Sequence, residues 1–436
     1  MKKLILILVC IGLISLPLSA MAATEAQKRA AIDLGLAWLA TQQLGDGSWP
    51  EANGYPAAAT GSALLAFLEE KANWGVNTAL YQAKVNAGLN YLLTQAQLVP
   101  IAVQPQGNPD SDGNGFGVKF IPGGLSTRDT YVTGIVLPAI ASSGTPNALV
   151  TVGPLAGRSD GTGPGGAWTY RDVVQNTIDY FAFGQSDPAT GGWRGGWRYY
   201  ANYGNSDQST TQWPIISSLF AGKMGVSLPN WVNPELALWT NAIQQLDGGG
   251  LYYPRGAPGY PNGYRYGGMN ETGALLLLQK YLGLPTGNAS VQAALNFLDV
   301  NWLIGLGGAS GFEGNFGHPY AMWAVYKGLE MAIGLDNMTE ITSNLHANPG
   351  NIDNLNHGWN WWEDYCNWLV TNQLGSGTWS FFSSNWSGPM ATGWYINILA
   401  ATKIPDGGEV PEPATMILLG SGLVGLAGYA RKRMKK

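Results

Sequence analysis

Cysteine is almost missing from this chain: Cys10 and Cys366 are the only two among 436 residues. Cys10 falls in a segment read below as a removable leader, so Cys366 is left as a lone thiol and no disulfide can brace the mature fold. Histidine is nearly as scarce, with only His318, His346 and His357, which argues against a multi-histidine metal centre. Charge is thin, at 12% Asp, Glu, Lys and Arg, about half the usual share. With 23 Lys and Arg against 28 Asp and Glu there is no basic excess to displace counterions, so nucleic acid is not an expected partner. What is present is apolar: 45% hydrophobic residues, 18 Trp and 20 Tyr. That composition excludes global disorder and predicts a large core.

The two ends read as addresses. Met1-Lys2-Lys3 is a positive start, residues 4–18 are apolar, and Ala20-Met21-Ala22 supplies small residues. This predicts a secretory signal peptide over residues 1–22, cleaved before Ala23. The apolar run is shorter than the roughly 20 residues of a spanning helix. In the tail, residues 406–436, Val410-Pro411-Glu412-Pro413-Ala414-Thr415 precede an apolar, Gly-rich run over 416–430 and the basic end Arg431-Lys432-Arg433-Met434-Lys435-Lys436. A hydrophobic helix followed by a basic cluster anchors with its end in the cytoplasm. These three parts in this order resemble the PEP-CTERM sorting signal of Gram-negative bacteria. The resemblance implies export across the inner membrane and a place at the cell surface or outside the cell. It also implies transient membrane anchoring through the C-terminal helix and an exosortase-type peptidase as processing partner. Without residues 1–22 and 411–436 the body keeps 16 Lys and Arg against 27 Asp and Glu, a net charge of −11. An acidic exterior suits solubility outside the cell.

Residues 23–405 repeat themselves in pairs of helical segments: 33–43 with 60–70, 79–97 with 129–141, 172–183 with 208–224, 234–245 with 271–282, 290–303 with 319–333, and 361–373 with 392–402. First segments are amphipathic; Leu89, Leu92 and Leu93 share one face of the second pair's opening helix. Second segments are apolar all round, as in Ala63-Leu64-Leu65-Ala66-Phe67-Leu68 and Leu275-Leu276-Leu277-Leu278. A helix apolar on every side must be covered on every side, and these are too short to cross a bilayer. Second helices inside and first helices outside satisfy both conditions. The expected fold is therefore all-α, a six-hairpin α/α toroid (α6/α6 barrel).

Residues 43–49 (Gln-Leu-Gly-Asp-Gly-Ser-Trp) and 373–379 (Gln-Leu-Gly-Ser-Gly-Thr-Trp) fit Gln-x-x-x-Gly-x-Trp without a gap. Residues 245–251 fit with Leu in place of Trp, and 185–193 form a stretched version. These resemble the QW repeats of squalene and related terpenoid cyclases, and the arrangement is similar to the protein prenyltransferase toroid. The resemblance implies that each Gln ends an outer helix while the Trp packs beside it, tying neighbouring hairpins together. The chemistry of those families is not matched. No Asp-x-Asp-Asp acid cluster and no Asp-Asp-x-x-Asp magnesium motif occurs in the chain. Asp364-Tyr365-Cys366 has the zinc prenyltransferase spacing but falls on an outer helix, with no histidine after His357. The Cys-Gly-Glu-Gln thioester of complement-type toroids is absent too. No metal and no cofactor is expected.

In such a barrel the outer-to-inner loops, here 97–128, 185–207, 246–270, 303–317 and 374–391, gather at one end. Long structured loops are usually functional. The polar residues at inner-helix starts are Thr60, Arg128, Asp129, Asp207, Gln208, Asn270, Glu271, His318 and Thr392. Asp129 and Asp207 have a plain account as helix caps; Glu271, one residue after Asn270, fits that account less well. Read functionally, Asp129, Asp207 and Glu271 are the candidate acid and base, with Arg128 or His318 stabilising charge. Trp197, Tyr253, Tyr266, Tyr320 and Trp394 are the candidate aromatic walls, with Gln208, Asn270 and Arg128 reading polar groups. Such walls suit a glycan or an apolar chain. Three readings follow: an exported surface or matrix protein that binds a glycan or apolar ligand without cyclase chemistry, a polysaccharide lyase or glycoside hydrolase, and an atypical terpenoid-type enzyme.

Overall fold

Residues 23–51, 54–120, 128–302, 314–335, 361–380 and 386–402 are described by a computed structural model. The expected leader and sorting tail lie outside them. Along the first half run α1 (Glu25–Gln42), α2 (Pro56–Glu69), α3 (Thr78–Thr94), α4 (Asp129–Ser142), α5 (Tyr170–Gly184) and α6 (Gln208–Ala221). The second half supplies α7 (Val232–Ile243), α8 (Met269–Tyr281), α9 (Ala289–Val300), α10 (Pro319–Ile333), α11 (Trp361–Asn372) and α12 (Gly388–Leu399). The even helices pack side by side in the order α2, α4, α6, α8, α10, α12 and back to α2. The odd helices lie outside them, and α1 bridges α11, α12 and α2 to close the seam. The all-round apolar pattern is realised directly: every residue of α6 is buried.

Sequence-local chemistry sets where the inner helices begin. Pro56 and Pro389 stand in the first turns of α2 and α12, where a fixed φ and a missing N–H cost nothing. Consequently α2 and α12 start four residues before Thr60 and Thr392, which the sequence placed at helix starts. These threonines instead clamp the preceding turn. The Trp49 N–H donates to Thr60 Oγ1 (2.9 Å), Phe120 N–H to Thr133 Oγ1 (3.0 Å), Trp197 N–H to Thr211 Oγ1 (3.0 Å) and Gly250 N–H to Thr272 Oγ1 (2.8 Å). Four of the inner helices carry Gly directly after the clamp threonine, at Gly61, Gly134, Gly273 and Gly393. A Cβ at Gly134 would stand 2.4 Å from Trp213 Cβ, and one at Gly273 2.5 Å from the Val325 nitrogen. The missing side chain thus lets each inner helix lie against the next.

Glutamine ties join the outer helices. Gln43 Nε2 donates to Gly47 O (2.9 Å) and to Lys84 O on α3 (2.8 Å), while the Trp49 indole donates to Leu39 O (2.7 Å). Gln373 does the same to Gly377 O (2.9 Å) and across the seam to Ala31 O on α1 (2.8 Å). Gly47 and Gly377 sit at φ +92° and +100°, and a Cβ at either would stand 2.3 Å from a carbonyl of the next outer helix, so only Gly serves there. Two registers differ from the sequence reading. The third tie is made by Gln244, to Gly248 O and Ser290 O, with Gly250 at the Trp position; Gln245 bonds Asn262 O instead. The stretched tie runs from Gln185 to Gly195 O and ends at Trp197, not Trp193.

One element was not foreseen. α3 ends at Thr94, and the chain forms an antiparallel hairpin of β1 (Ala96–Pro100) and β2 (Phe116–Phe120), with Ala96 opposite Phe120. β2 packs on α4 and α5, burying Val118 and Phe120. Pro100 stands at the strand end, where the missing N–H is tolerated.

Candidate functional site

The N-terminal ends of the inner helices enclose a cavity of about 290 Å³. Six tyrosines line it: Tyr55 before α2, Tyr131 on α4, Tyr199 and Tyr252 from the α5–α6 and α7–α8 loops, Tyr266 before α8 and Tyr320 on α10. Trp386 and Trp394 add indole faces, and Ala58, Val132, Ile135 and Met390 add aliphatic ones. Deeper in the ring the aromatics close up. Trp394 stacks on Trp213 (centroids 5.9 Å apart, 22°) and on Trp323 (6.4 Å, 11°), all buried. The cavity is therefore a cup with an aromatic floor.

Polar groups converge on its wall. Arg128, the N-cap of α4, holds its guanidinium 5.8 Å from the Tyr55 ring and 5.3 Å from the Tyr199 ring. Both contacts are within cation–π range. Asn270 and Glu271 present adjacent acceptors from the first turn of α8. Glu271 Oε2 accepts the Gly268 N–H at 2.6 Å, while Oε1 has no hydrogen-bond partner. Asn270 Oδ1 has none either. Burial pushes the Glu271 carboxyl up to about 7, against backbone N–H groups that favour its charged form. Behind the wall, Tyr320 Oη donates to Ser209 O (2.8 Å) and accepts from Gln212 Nε2, which fixes the ring that faces the cup.

Of the residues singled out in the sequence, Arg128, Tyr266, Asn270, Glu271, Tyr320 and Trp394 meet in this cavity. The others stand elsewhere. Asp207 is fully buried as the N-cap of α6, accepting from Thr210 N–H (2.7 Å), Ser209 Oγ (2.6 Å) and Tyr252 Oη (3.3 Å) and paired with Arg198 (3.1 Å). Its oxygens are engaged, which is the structural account the sequence already offered. Asp129, one residue past the cap, is held by Lys119 Nζ of β2 at 2.6 Å. His318 caps α10, its Nδ1 accepting the Ala321 N–H at 3.2 Å. Burial lowers its pKa to about 4, which favours the neutral ring. Gln208 accepts the Trp239 indole N–H (2.8 Å). Trp197 is a tie residue, buried, with its indole on Phe181 O (2.8 Å). Tyr253 packs on Trp193 and Tyr260 and accepts from Arg198, while its neighbour Tyr252 reaches the cup.

Glu51 also lines the cavity, its Oε2 accepting the Tyr55 N–H at 3.1 Å. Sequence reasoning missed it because it lies two residues past a QW tryptophan, in a stretch read only as a turn. In the zinc-type motif, Asp364 accepts the Trp302 indole N–H (2.8 Å) and Cys366 is buried in the core. Outside the cup, Asp110, Asp112 and Asp179 bring carboxylate oxygens within 4.8 Å of one another.

Residues 409–433 match the PEP-CTERM protein-sorting motif, so the chain is an exported protein sorted to the cell envelope. Among curated proteins none matches the chain. Several solved structures are similar to it. A family 76 glycoside hydrolase from a bovine Bacteroides thetaiotaomicron strain is 11% identical, with a TM-score of 0.50, covering 86% of this chain and 77% of that one. A D-mannose isomerase is also 11% identical with a TM-score of 0.50, over 89% of this chain and 100% of the other. The type II terpene cyclase MstE from Scytonema is 13% identical with a TM-score of 0.47, over 87% and 98% of the two chains. At such identities the likeness is one of fold, the α/α toroid. Among the described residues no helix is long and apolar enough to cross a membrane.

Proposed function

We propose that the protein leaves the cytoplasm behind a cleaved leader, residues 1–22. In this reading its toroid, residues 23–405, binds the end of a saccharide in the cup, and the tail, residues 406–436, holds it at the membrane until an exosortase-type peptidase acts. The observation that carries the ligand reading is the cup's make-up: six tyrosine rings, with Arg128, Asn270 and Glu271 among them. Sugar C–H faces stack on such rings while hydroxyls meet the polar atoms. An apolar chain would instead desolvate Arg128 and the half-buried Glu51 on the wall without offering them a polar partner. The closed floor of Trp394 and Trp213 also leaves no through-passage for a long isoprenoid. A cavity near 300 Å³ is at the small end for ligand sites, which favours a chain end over a chain middle.

The test is calorimetric titration of the protein with a panel of mono- and disaccharides, beside prenyl alcohols. Saccharide binding weakened about tenfold or more in Trp394→Ala and Tyr266→Ala is the expected result. Binding of the prenyl alcohols in place of sugars overturns the reading, as does sugar binding that neither substitution changes.

A further inference from the structure

Two carboxylates face the cup from opposite sides of the ring. Glu271 opens α8 and Glu51 stands just before α2, and these two helices are three places apart in a closed ring of six. Glu271 is a buried residue of the cavity wall, and its Oε1 is shielded from solvent and has no hydrogen-bond partner. A buried acceptor without a donor is expensive unless something supplies the hydrogen bond or the oxygen carries a proton. Glu51 is half-buried at the rim, where water can reach it.

We propose that the cup hydrolyses the terminal glycosidic bond of the saccharide it holds, with Glu271 protonating the leaving oxygen and Glu51 taking a proton from the attacking water. The proposal rests on the saccharide reading above. The anomeric carbon–oxygen bond breaks, and its electron pair stays with the leaving oxygen, which takes the Glu271 proton. The water oxygen bonds to the anomeric carbon and gives one proton to Glu51. Solvent returns that proton to Glu271, so the net change is one water added and two hydroxyls formed. The aromatic floor restricts the reaction to a chain end.

The electrostatics agree with this division of roles. The carboxyl of Glu271, raised to about 7 by burial, is still partly protonated at neutral pH, as a general acid must be. The charged and titratable groups around it are Arg265 on the preceding loop, Arg128 and Glu51 on the cavity wall, and Tyr131, Tyr252, Tyr266 and Tyr320. Among these, Arg265 favours the charged form of Glu271, and burial outweighs it.

The experiment uses the full chain with α- and β-linked 4-nitrophenyl hexosides and the matching disaccharides. At least one pair is cleaved, and Glu51→Gln slows both members by about 100-fold or more. Glu271→Gln slows the disaccharide by a similar factor but the nitrophenyl glycoside far less, because nitrophenolate departs without a proton. Disaccharide cleavage by the parent falls as pH rises through about 7. Sugars that bind but are never cleaved overturn the proposal and leave the saccharide reading standing. Absence of binding removes both. Equal loss on the two substrate types in Glu271→Gln, with an unchanged melting curve, shows a structural carboxyl and also overturns it.

Discussion

Asp179 shows how a buried carboxyl outside the cup weighs on stability. Its Oδ1 accepts from Gln175 Nε2 (3.0 Å) and its Oδ2 from the Ser111 N–H (3.3 Å), yet burial, helped by the nearby Asp112 charge, pushes its pKa up to about 7. Below about pH 4 the group is protonated whether the chain is folded or not, and it costs nothing. As pH rises from about 4 to 7 the unfolded chain ionises first, and folding stability is lost, by on the order of 4 kcal/mol at the upper limit. Asp179→Asn is thus expected to raise stability at pH 7 and change it little at pH 4, read by denaturant unfolding with divalent ions chelated. A gain of equal size at both pH values would rule the account out. At this scale the sequence was partly legible. Glu271 stood out because a Glu in the first turn after Asn is a poor simple cap, and of Asp129, Asp207 and Glu271 it is the one that lines the cup. Asp129 and Asp207 looked alike in sequence but were claimed by Lys119 and Arg198, partners 10 and 9 residues away along the chain that no spacing rule identifies.

Between elements, the clamp threonine with its following glycine governs how closely the inner helices approach. Mid-helix Gly→Ala normally stabilises by about 0.5–1 kcal/mol. At Gly134 the new methyl would overlap Trp213 Cβ at 2.4 Å, so Gly134→Ala is expected to destabilise by about 1–3 kcal/mol. Gly222, at the end of α6 with φ −52° and nothing within 4 Å of a built Cβ, supplies the control: Gly222→Ala should be neutral or mildly stabilising. Chemical denaturation of both variants checks the pair, and the idea fails if they shift together. Gln373→Ala probes the seam by removing two buried-end contacts, to Gly377 and to Ala31, and should cost about 1–3 kcal/mol. The repeat was visible in sequence because apolar periodicity and QW spacing are local properties. The hairpin of β1 and β2 was not, since its strands are short and gain their burial only from α4 and α5. The register of the Gln244 tie was hidden too, because adjacent glutamines fit the same spacing and only contact with Ser290 separates them.

For the whole molecule, the proposed retention of the tail at a membrane makes the direction of the helices a prediction about which face would meet that membrane. The cup opens where inner helices begin, and the chain leaves where they end. Thr402 is pinned there: its carbonyl accepts from Lys327 Nζ (2.7 Å) and Tyr326 Oη (3.1 Å), and its N–H donates to Asn397 O (3.0 Å). Lys327 is fully buried, so this lock is set inside the ring rather than on its surface. An inner helix of 14 residues rises about 21 Å. Residues 403–410, fully stretched, reach about 27 Å, so turning the cup toward the bilayer would spend nearly the whole segment on passing the toroid wall. The exit face toward the lipid needs no such stretching. With Cys366 buried and Cys10 replaced by Ser, a single cysteine at exposed Val76, between α2 and α3, or at exposed Leu246, between α7 and α8, labels one face or the other. In vesicles holding the full chain, energy transfer to a membrane dye should be strong from Val76→Cys and weak from Leu246→Cys. Equal or reversed transfer would mean that the cup does not open away from the membrane, and that a ligand would have to reach it from the lipid side.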